Sequence, residues 1–484
     1  MNIRWNVAIE TLPDEVLLEI FDLCLVKEED IDPWYDWGNG GDERNSYDAW
    51  YALAHVCQRW RYVVFASPHR LNLRLHCSRR RARELLCVWP AFPIVIWDTL
   101  TCTSDEDSII AALEHRDRVR EIRLGRLSSL QSEKLVPLMQ KSFPALTKLQ
   151  IEGFAPIGDE LVLPDSFLGG SAAHLRVLYL TSISFPAFPK FLLSASNLVT
   201  LFLHGTPFGY IPPEIVAALP ALIKLEIMRI SFWYNDPDSD LEGRAPPPPT
   251  RSVLPTLKVL ELDGDGAYLD DFAARVDVPS ISYLRIEFTN RPFFVHDFFH
   301  LRQLVGRVEI FRSFDYAGLQ ISPLSMDFTL SPQRWSRCPC PGVLQLKFLC
   351  DAGGPLPSLV EACNTSLLPL SNIETFGIRA KYSHYGPGSE SGIDTEDPRW
   401  LDVLRQFPAV KSLNLESVNI VIPVAFALRR VIEEGMTGVL PAIQELTVSR
   451  SPSIGPVREA IEQFVTARGP FVFETSTSYT WRIS

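Results

Sequence analysis

The sequence predicts an α/β fold in which a small N-terminal helical domain precedes a long array of repeated strands. Two observations carry this prediction. Apolar residues recur at helical spacing in two segments near the start of the chain. Farther on, one short pattern (apolar, two variable residues, apolar, one variable residue, apolar) returns about twelve times. No single copy can bury its apolar side alone, so the copies must stack.

Composition and charge bound the function. The chain has 484 residues, 46% of them hydrophobic and 21% charged, which allows a large core. Its net charge of −12 argues against nucleic acid as a general partner. No apolar run is long enough to span a membrane, so no membrane partner is expected. Nine scattered cysteines and the lack of a signal-peptide pattern favour a cytoplasmic and/or nuclear location.

The first helical segment is "IETLPDEVLLEIFDLC", residues 9–24. Pro13 suits the first helical turn, and two acidic residues follow it at the positive end of the helix dipole. The apolar stripe of this helix consists of Val16, Leu17, Ile20, Phe21 and Cys24. The second segment, residues 50–68, has an apolar face made of Leu53, Val56, Cys57, Trp60, Val63 and Val64. Two short helices make only a small core and leave apolar surface for a partner to cover.

These two segments together resemble an F-box, the adaptor-binding motif of SCF cullin–RING ubiquitin ligases. The family's Leu-Pro-acidic start and its later Val-Cys-x-x-Trp are matched by Leu12, Pro13, Asp14, Val56, Cys57 and Trp60. The resemblance implies an F-box-like domain over residues 1–75 that binds a Skp-type adaptor. It implies adaptor contacts from Leu12, Pro13, Val16, Leu17, Ile20, Phe21, Val56, Cys57 and Trp60. With the basic segment and "WPAFPIVI" that follow, the order is similar to F-box proteins of mushroom-forming fungi.

An acidic insertion, residues 26–50, separates the two helices, where the family has a short link. It holds eight acidic residues and three of its aromatic residues lie together, so it reads either as a solvated segment or as a docking segment for a basic surface. Residues 76–114 are expected to form a basic connecting helix and then a first buried strand, "FPIVIWD". The arginine run of that helix also fits a nuclear localisation or nucleic-acid patch, but a solvated helix face is favoured.

The repeats occupy residues 115–484 and follow the pattern of leucine-rich repeats. The copies are RVREIRL, ALTKLQI, HLRVLYL, NLVTLFL, ALIKLEI, TLKVLEL, SISYLRI, a weaker LVGRVEI, GVLQLKF, NIETFGI, AVKSLNL and AIQELTV. Because the usual Asn or Cys after each strand is missing, an irregular horseshoe of about twelve units is expected. An ordinary parallel α/β sheet is the alternative. Residues 234–252 and 381–400 are predicted to be loop insertions, and a C-terminal strand segment is predicted to cap the array.

In such an array the variable residues beside the buried strand positions face outward and form a candidate target-binding surface. The predicted members are Tyr179, Phe202, His204, Met228, Tyr283, Arg285, Phe311 and Lys347. Exposed aromatic residues and methionine are typical of binding hot spots. The alternative is that neighbouring loops or the C-terminal tail cover these side chains.

No catalytic, cofactor or metal motif is found. "DPDSDLEG" begins like a calcium loop but lacks the required Gly and bidentate Glu, and "CPCPG" lacks zinc-site spacing. The sequence therefore predicts no enzyme, but a substrate receptor that joins an unknown protein target to a cullin–RING ligase through a Skp-type adaptor. A repeat scaffold or sensor with an F-box-like cap and no ligase role is the alternative. An α/β enzyme would need a polar constellation that the sequence does not show.

Overall fold

The computed structural model divides the chain into two compact units, Met1–Ala187 and Phe188–Ser484. The structure describes residues 12–24, 49–67, 75–77, 86–87, 91–99, 106–154, 161–205, 213–232, 250–289, 298–322, 324–332, 342–349, 355–364, 370–380, 397–449, 455–475 and 478–483. The predicted helices therefore share the first unit with the first repeats.

The first unit begins with three short helices. They are α1 (Asp14–Cys24), α2 (Ala49–Val56) and α3 (Gln58–Ala66). The predicted second helix is thus two helices, because Cys57 leaves the helical conformation and its Sγ accepts a hydrogen bond from the Trp60 amide at 3.4 Å. This break turns Val56 outward, although the continuous helical pattern had put it on the apolar face.

The three helices share one small core. Leu17 and Phe21 of α1 are fully buried, and the Phe21 ring packs on Trp60 with centroids 4.8 Å apart. Arg59 of α3 donates hydrogen bonds to the Leu12 carbonyl oxygen and, at 2.6 Å, to Asp14 Oδ1. These bonds fix the start of α1 against α3, at the Leu-Pro-acidic segment noted in the sequence.

A five-stranded parallel sheet follows in the first unit. Its strands, in spatial order, are β1 (Leu75–Cys77), β2 (Ile94–Thr99), β3 (Val119–Leu127), β4 (Lys148–Gly153) and β6 (Val177–Thr181). The connecting helices are α4 (Glu106–Glu114) and α5 (Ser129–Leu135), and β5 (Leu161–Val162) pairs with β7 (Ile183–Ser184). A capping box between Ser128 and Gln131 starts α5.

The second unit repeats the same strand-and-return plan. Its helices are α6 (Phe188–Ser194), α7 (Pro213–Ala218), α8 (Gly266–Arg275), α9 (Phe299–Arg307), α10 (Pro355–Asn364), α11 (Arg399–Arg405), α12 (Val418–Glu433) and α13 (Gly455–Arg468). Its strands are β8 (Thr200–His204), β9 (Ile227–Ser231), β10 (Ser252–Val253), β11 (Val259–Gly264), β12 (Val276–Asp277), β13 (Tyr283–Phe288), β14 (Tyr316–Ile321), β15 (Ser325–Ser331), β16 (Val343–Leu349), β17 (Thr375–Ala380), β18 (Ser412–Glu416), β19 (Glu445–Ser449), β20 (Phe471–Thr475) and β21 (Ser478–Ile483).

Hydrogen bonding orders the main sheet of this unit as β8-β9-β11-β13-β16-β15-β14-β17-β18-β19-β21-β20. All of these strands run parallel except β15 and β21, which run against their neighbours. The apolar pattern residues alternate inward along each strand, as at Leu260 and Leu262, and form the core. The unit is therefore mixed α/β with a long, mainly parallel sheet.

Eleven of the twelve repeat signatures lie in or lead into strands, but LVGRVEI does not. That segment ends α9 and enters a 3₁₀ turn, Glu309–Arg312. Instead, the antiparallel pair β14–β15 enters the sheet, so β16 lies beside β13 rather than beside β14. Within each unit the strands of the repeat signatures run parallel, and the two strands that run against their neighbours, β15 and β21, lie outside those signatures.

Several predicted features lie outside the described residues. They include most of the acidic insertion (25–48), the arginine run (78–85), most of both loop insertions (233–249 and 381–396) and the "CPCPG" cysteines. Within the part of the chain that the structure describes, no helix combines the length and apolarity needed to cross a membrane.

Candidate binding sites

Helix α1 carries apolar side chains on two adjoining faces. One face, with Leu17, Leu18 and Phe21, packs into the core of the first unit. The other face carries Pro13, Val16, Ile20 and Leu23, spaced by three and four residues, and we call it the outer stripe. Val16 is 41% exposed and Leu23 is 87% exposed. A helix that is apolar on its outward face as well leaves surface that water solvates poorly.

The residues that the F-box resemblance implies thus divide into two groups. Leu17 and Phe21 are buried within the unit, so a partner cannot contact them without unfolding it. Pro13 and Val56 are exposed, and Leu12, Ile20, Cys57 and Trp60 are partly exposed. Leu23 was missed, although it lies three residues after Ile20 and continues the same stripe.

The second unit presents a polar face on its main sheet. Alternate residues of each strand point to this face, and strand register places them in rows across the sheet. The central row, from β8 to β16, is Phe202, Arg229, Glu261, Arg285 and Gln345. The next row is His204, Ser231, Asp263, Glu287 and Lys347. We call these two rows, with Tyr283, the charged face.

Ion pairs run through the charged face. Glu261 Oε2 lies 3.4 Å from Arg229 Nε and 4.0 Å from Arg285 Nη1. Glu287 accepts hydrogen bonds from Arg285, at 3.1 Å, and from Lys347. The side chains of Glu261 and Arg285 are only 10% and 27% exposed, so solvent screens this network less than an ordinary surface pair.

Asp263 differs from the other two carboxylates of the charged face. Its Oδ2 accepts a hydrogen bond from Ser231 Oγ at 2.9 Å, but Oδ1, like Glu261 Oε2, is buried without a hydrogen-bond partner among the described residues. No ion pair reaches Asp263 within that part of the chain, and the carboxylate of Glu287 lies directly opposite on β13. Burial, together with Glu287, raises the pKa of Asp263, although the Ser231 hydrogen bond and the charges of Arg229 and Lys347 act in the opposite direction.

Other groups on this face are also tuned by burial. Burial, reinforced by Glu261, raises the pKa of Tyr283 to about 12, and the Tyr283 hydroxyl donates to Gln345 Oε1 at 2.9 Å. Burial and the neighbouring Arg229 lower the pKa of His204 against the opposing charge of Glu287, which favours the neutral imidazole. Although burial opposes its charge, the carboxylates of Glu261 and Glu287 raise the pKa of Arg285.

The β8 end of the charged face is aromatic. The rings of Phe202 and His204 stack with centroids 6.0 Å apart, and the Arg229 guanidinium lies 5.3 Å from the centre of the Phe202 ring. Farther along, beyond β15, the central row becomes small and uncharged, with Gly318, Gly377 and Asn414 in register. The second row continues past Lys347 with Asp327, Gln320, Arg379 and Glu416 in register, so charge extends along that row while the β8 end of the face is aromatic.

Three of the predicted target-binding residues are not available on an outer face. Met228 is fully buried. The repeat ALIKLEI predicts Leu222, Leu225 and Ile227 as the inward positions, but the pattern that enters β9 is Leu225, Met228 and Ile230, three residues farther on. Phe311 is buried in the 3₁₀ turn that replaces the predicted strand. Tyr179, in the first unit, is buried because β6 is covered on both faces.

The other predicted residues, Phe202, His204, Tyr283, Arg285 and Lys347, do share one face of the second unit. Sequence reasoning missed Arg229, Glu261, Asp263 and Glu287, which supply most of its charge. The signal was present: Glu261 is the variable residue inside "VLEL", and reading Leu225-x-x-Met228-x-Ile230 as the pattern would have placed Arg229 outward.

Among the described residues, no group of three or more His, Cys, Asp or Glu side chains is arranged to hold a metal ion. Cys363 is buried, and burial raises the pKa of its thiol to about 12, which leaves it unreactive at neutral pH.

Comparison with known proteins gives little further help. No protein-family model matches the sequence, and no curated protein is similar to it. Among solved structures, the chain is similar to the leucine-rich-repeat-containing protein LegL7 from Legionella pneumophila, with 13% identity over 76% of this chain and 96% of that one. The TM-score of this match is 0.30.

Proposed function

We propose that the chain is a substrate-receptor subunit of an SCF-type cullin–RING ubiquitin ligase, with an F-box-like helical cap and an irregular leucine-rich-repeat array. The cap would bind a Skp-type adaptor, and the repeats would bind a protein target. In this role the chain does no chemistry. It raises the effective concentration of the target near a ubiquitin-loaded enzyme that other subunits supply.

One observation carries the adaptor half of the proposal, namely the outer stripe of α1. Two faces of this short helix are apolar, and the three-helix core uses only one of them. The outer stripe includes Pro13, Val16 and Ile20, which the F-box resemblance assigns to the adaptor. A partner that covers these residues would remove apolar area from water and stabilise the complex at about 25 cal/mol per Å².

The test is co-purification with a Skp-type adaptor. We expect Val16→Glu to reduce adaptor recovery at least about tenfold, because it puts an uncompensated charge into the interface. The thermal unfolding midpoint should hardly change, since Val16 is 41% exposed in the free chain. Tyr62→Ser on α3 is the matched control, because Tyr62 is 71% exposed and lies outside the implied contacts.

A folded chain that fails to bind the adaptor would overturn the ligase proposal. A repeat scaffold with an F-box-like cap would then become the better description. Binding that survives in Val16→Glu but is lost in Tyr62→Ser would instead assign the adaptor contact to α3.

A further inference from the structure

The charged face of the second unit holds an incomplete pattern of ion pairs. Glu261 lies between Arg229 and Arg285, and Glu287 is bonded by both Arg285 and Lys347. Glu261 therefore has a basic partner on each side along its row, and Glu287 has one on its own strand and one on β16. Asp263 sits in the same lattice and has no ion pair in the part of the chain that is described.

The position of Asp263 makes this gap costly. Like charges directly opposite on neighbouring strands repel, and Asp263 faces Glu287 in register. A buried carboxylate oxygen without a hydrogen bond also carries its full desolvation penalty. A cation placed at Asp263 would relieve both terms at once, whereas an anion would worsen them.

The surroundings indicate what carries that cation. Phe202 and His204 form a stacked aromatic surface two strands away in the same two rows, which suits the methylene stem of a long basic side chain. The chain as a whole is acidic, with a net charge of −12, so its field attracts basic partners. Asp263 is partly exposed as a residue although its Oδ1 atom is buried, so a cationic group approaches the carboxylate from the face and not at Oδ1.

We propose that the charged face recognises a target segment through one Lys or Arg side chain, whose cationic head pairs with Asp263 beside Glu287 while its stem packs against Phe202 and His204. This inference rests on the target-binding half of the proposed function and names the class of target. Glu261 and Glu287 are already paired with arginine and lysine. Asp263 is therefore the carboxylate of the charged face that a further positive charge would meet.

The test uses two pools of short peptides that are random except at a central position, fixed as Lys or Arg in one pool and as Glu in the other. Retention of each pool on the immobilised full chain is measured. We expect the basic pool to be retained at least about tenfold more than the acidic pool, and Asp263→Asn to remove most of this preference.

Asp402→Asn is the matched control. Asp402 is an exposed carboxylate of the same unit that pairs with Arg405 on α11, so losing it changes the net charge equally without touching the charged face. Equal retention of the two pools, preference for the acidic pool, or equal losses in both variants would overturn the inference. Adaptor binding does not involve Asp263, so failure of this test and failure of the ligase proposal are distinguishable.

Discussion

Asp263 shows how a single residue can be placed at a cost in stability. The two neighbouring strands supply one hydroxyl donor, Ser231, and one repelling carboxylate, Glu287, while the charges of Arg229 and Lys347 partly offset that repulsion without forming an ion pair with Asp263 among the described residues. Asparagine would fill the same space without the charge, so folding alone does not favour aspartate at this position. A strained polar residue within an otherwise paired network is where binding function is expected.

The cost of this charge is itself measurable. Because the folded chain raises the pKa of Asp263, the folded state holds the proton at pH values where the unfolded state has released it. Stability contributed by the protonated form is therefore lost as pH rises from the ordinary value of 3.8 through the raised pKa. Asp263→Asn should increase the free energy of unfolding by about 0.5 kcal/mol at neutral pH.

Urea unfolding at two pH values checks this prediction. The gain from Asp263→Asn should vanish below pH 3.8, where the carboxyl is protonated in both states. A variant less stable than the parent at neutral pH would show that Asp263 stabilises the fold, and the argument for an incomplete ion-pair pattern would fail with it.

At the scale of elements, helix α9 depends on another helix for its start. Its N-cap residue, Phe298, has a left-handed backbone and offers no side-chain cap. Asp270 of α8 supplies it instead, as its Oδ1 accepts from the amides of His300 and Leu301, each at 2.8 Å. The carboxylate satisfies two orphan donors and lies at the positive end of the helix dipole.

Removal of this cap should destabilise the second unit. Asp270→Ala should lower the free energy of unfolding by about 1–2 kcal/mol, and Asp270→Asn, which keeps an acceptor oxygen, by less. Denaturant unfolding measures both, with Asp402→Ala as a surface control expected to cost less than about 0.5 kcal/mol. Equal effects of Asp270→Ala and Asp402→Ala would show that α9 starts without help from α8.

The same elements show what could be predicted from sequence. Strands were found wherever the apolar pattern was complete, because stacking forces those residues inward. The hairpin β14–β15 was missed because "YAGLQI" and "SMDFTLS" are strands that lack the leading apolar position. The cap from Asp270 could not be predicted, since it joins residues thirty positions apart (300 − 270) through packing of α8 on α9.

The side of each strand or helix to which a side chain points was predicted less well than the position of the strands along the chain. A register error of an odd number of residues exchanges the two faces, and at β9 an error of three placed Met228 outward and overlooked Arg229. Leu17 and Phe21 of α1 were assigned to a partner, although they form the local core. Helical periodicity identifies apolar positions, but it does not say which of two apolar faces the chain itself covers.

For the whole molecule, charge acts at two ranges that experiment can separate. The net charge of −12 attracts a basic segment over distances comparable to the Debye length, which shortens from about 30 Å at 0.01 M salt to about 8 Å at 0.15 M. The pairing at Asp263 acts only after contact, in a partly buried position that salt screens weakly. We therefore expect salt to slow association and Asp263→Asn to speed dissociation.

Surface-binding kinetics with one peptide from the basic pool make the comparison. Between those two salt concentrations the association rate constant should fall several-fold while the dissociation rate constant changes little. In Asp263→Asn the association rate should stay within about twofold of the parent, since one charge in a net of −12 alters the long-range field slightly, and dissociation should quicken at least about tenfold. If the variant instead slowed association and left dissociation unchanged, Asp263 would act only as part of the general acidic field, and recognition would have to lie elsewhere on the chain.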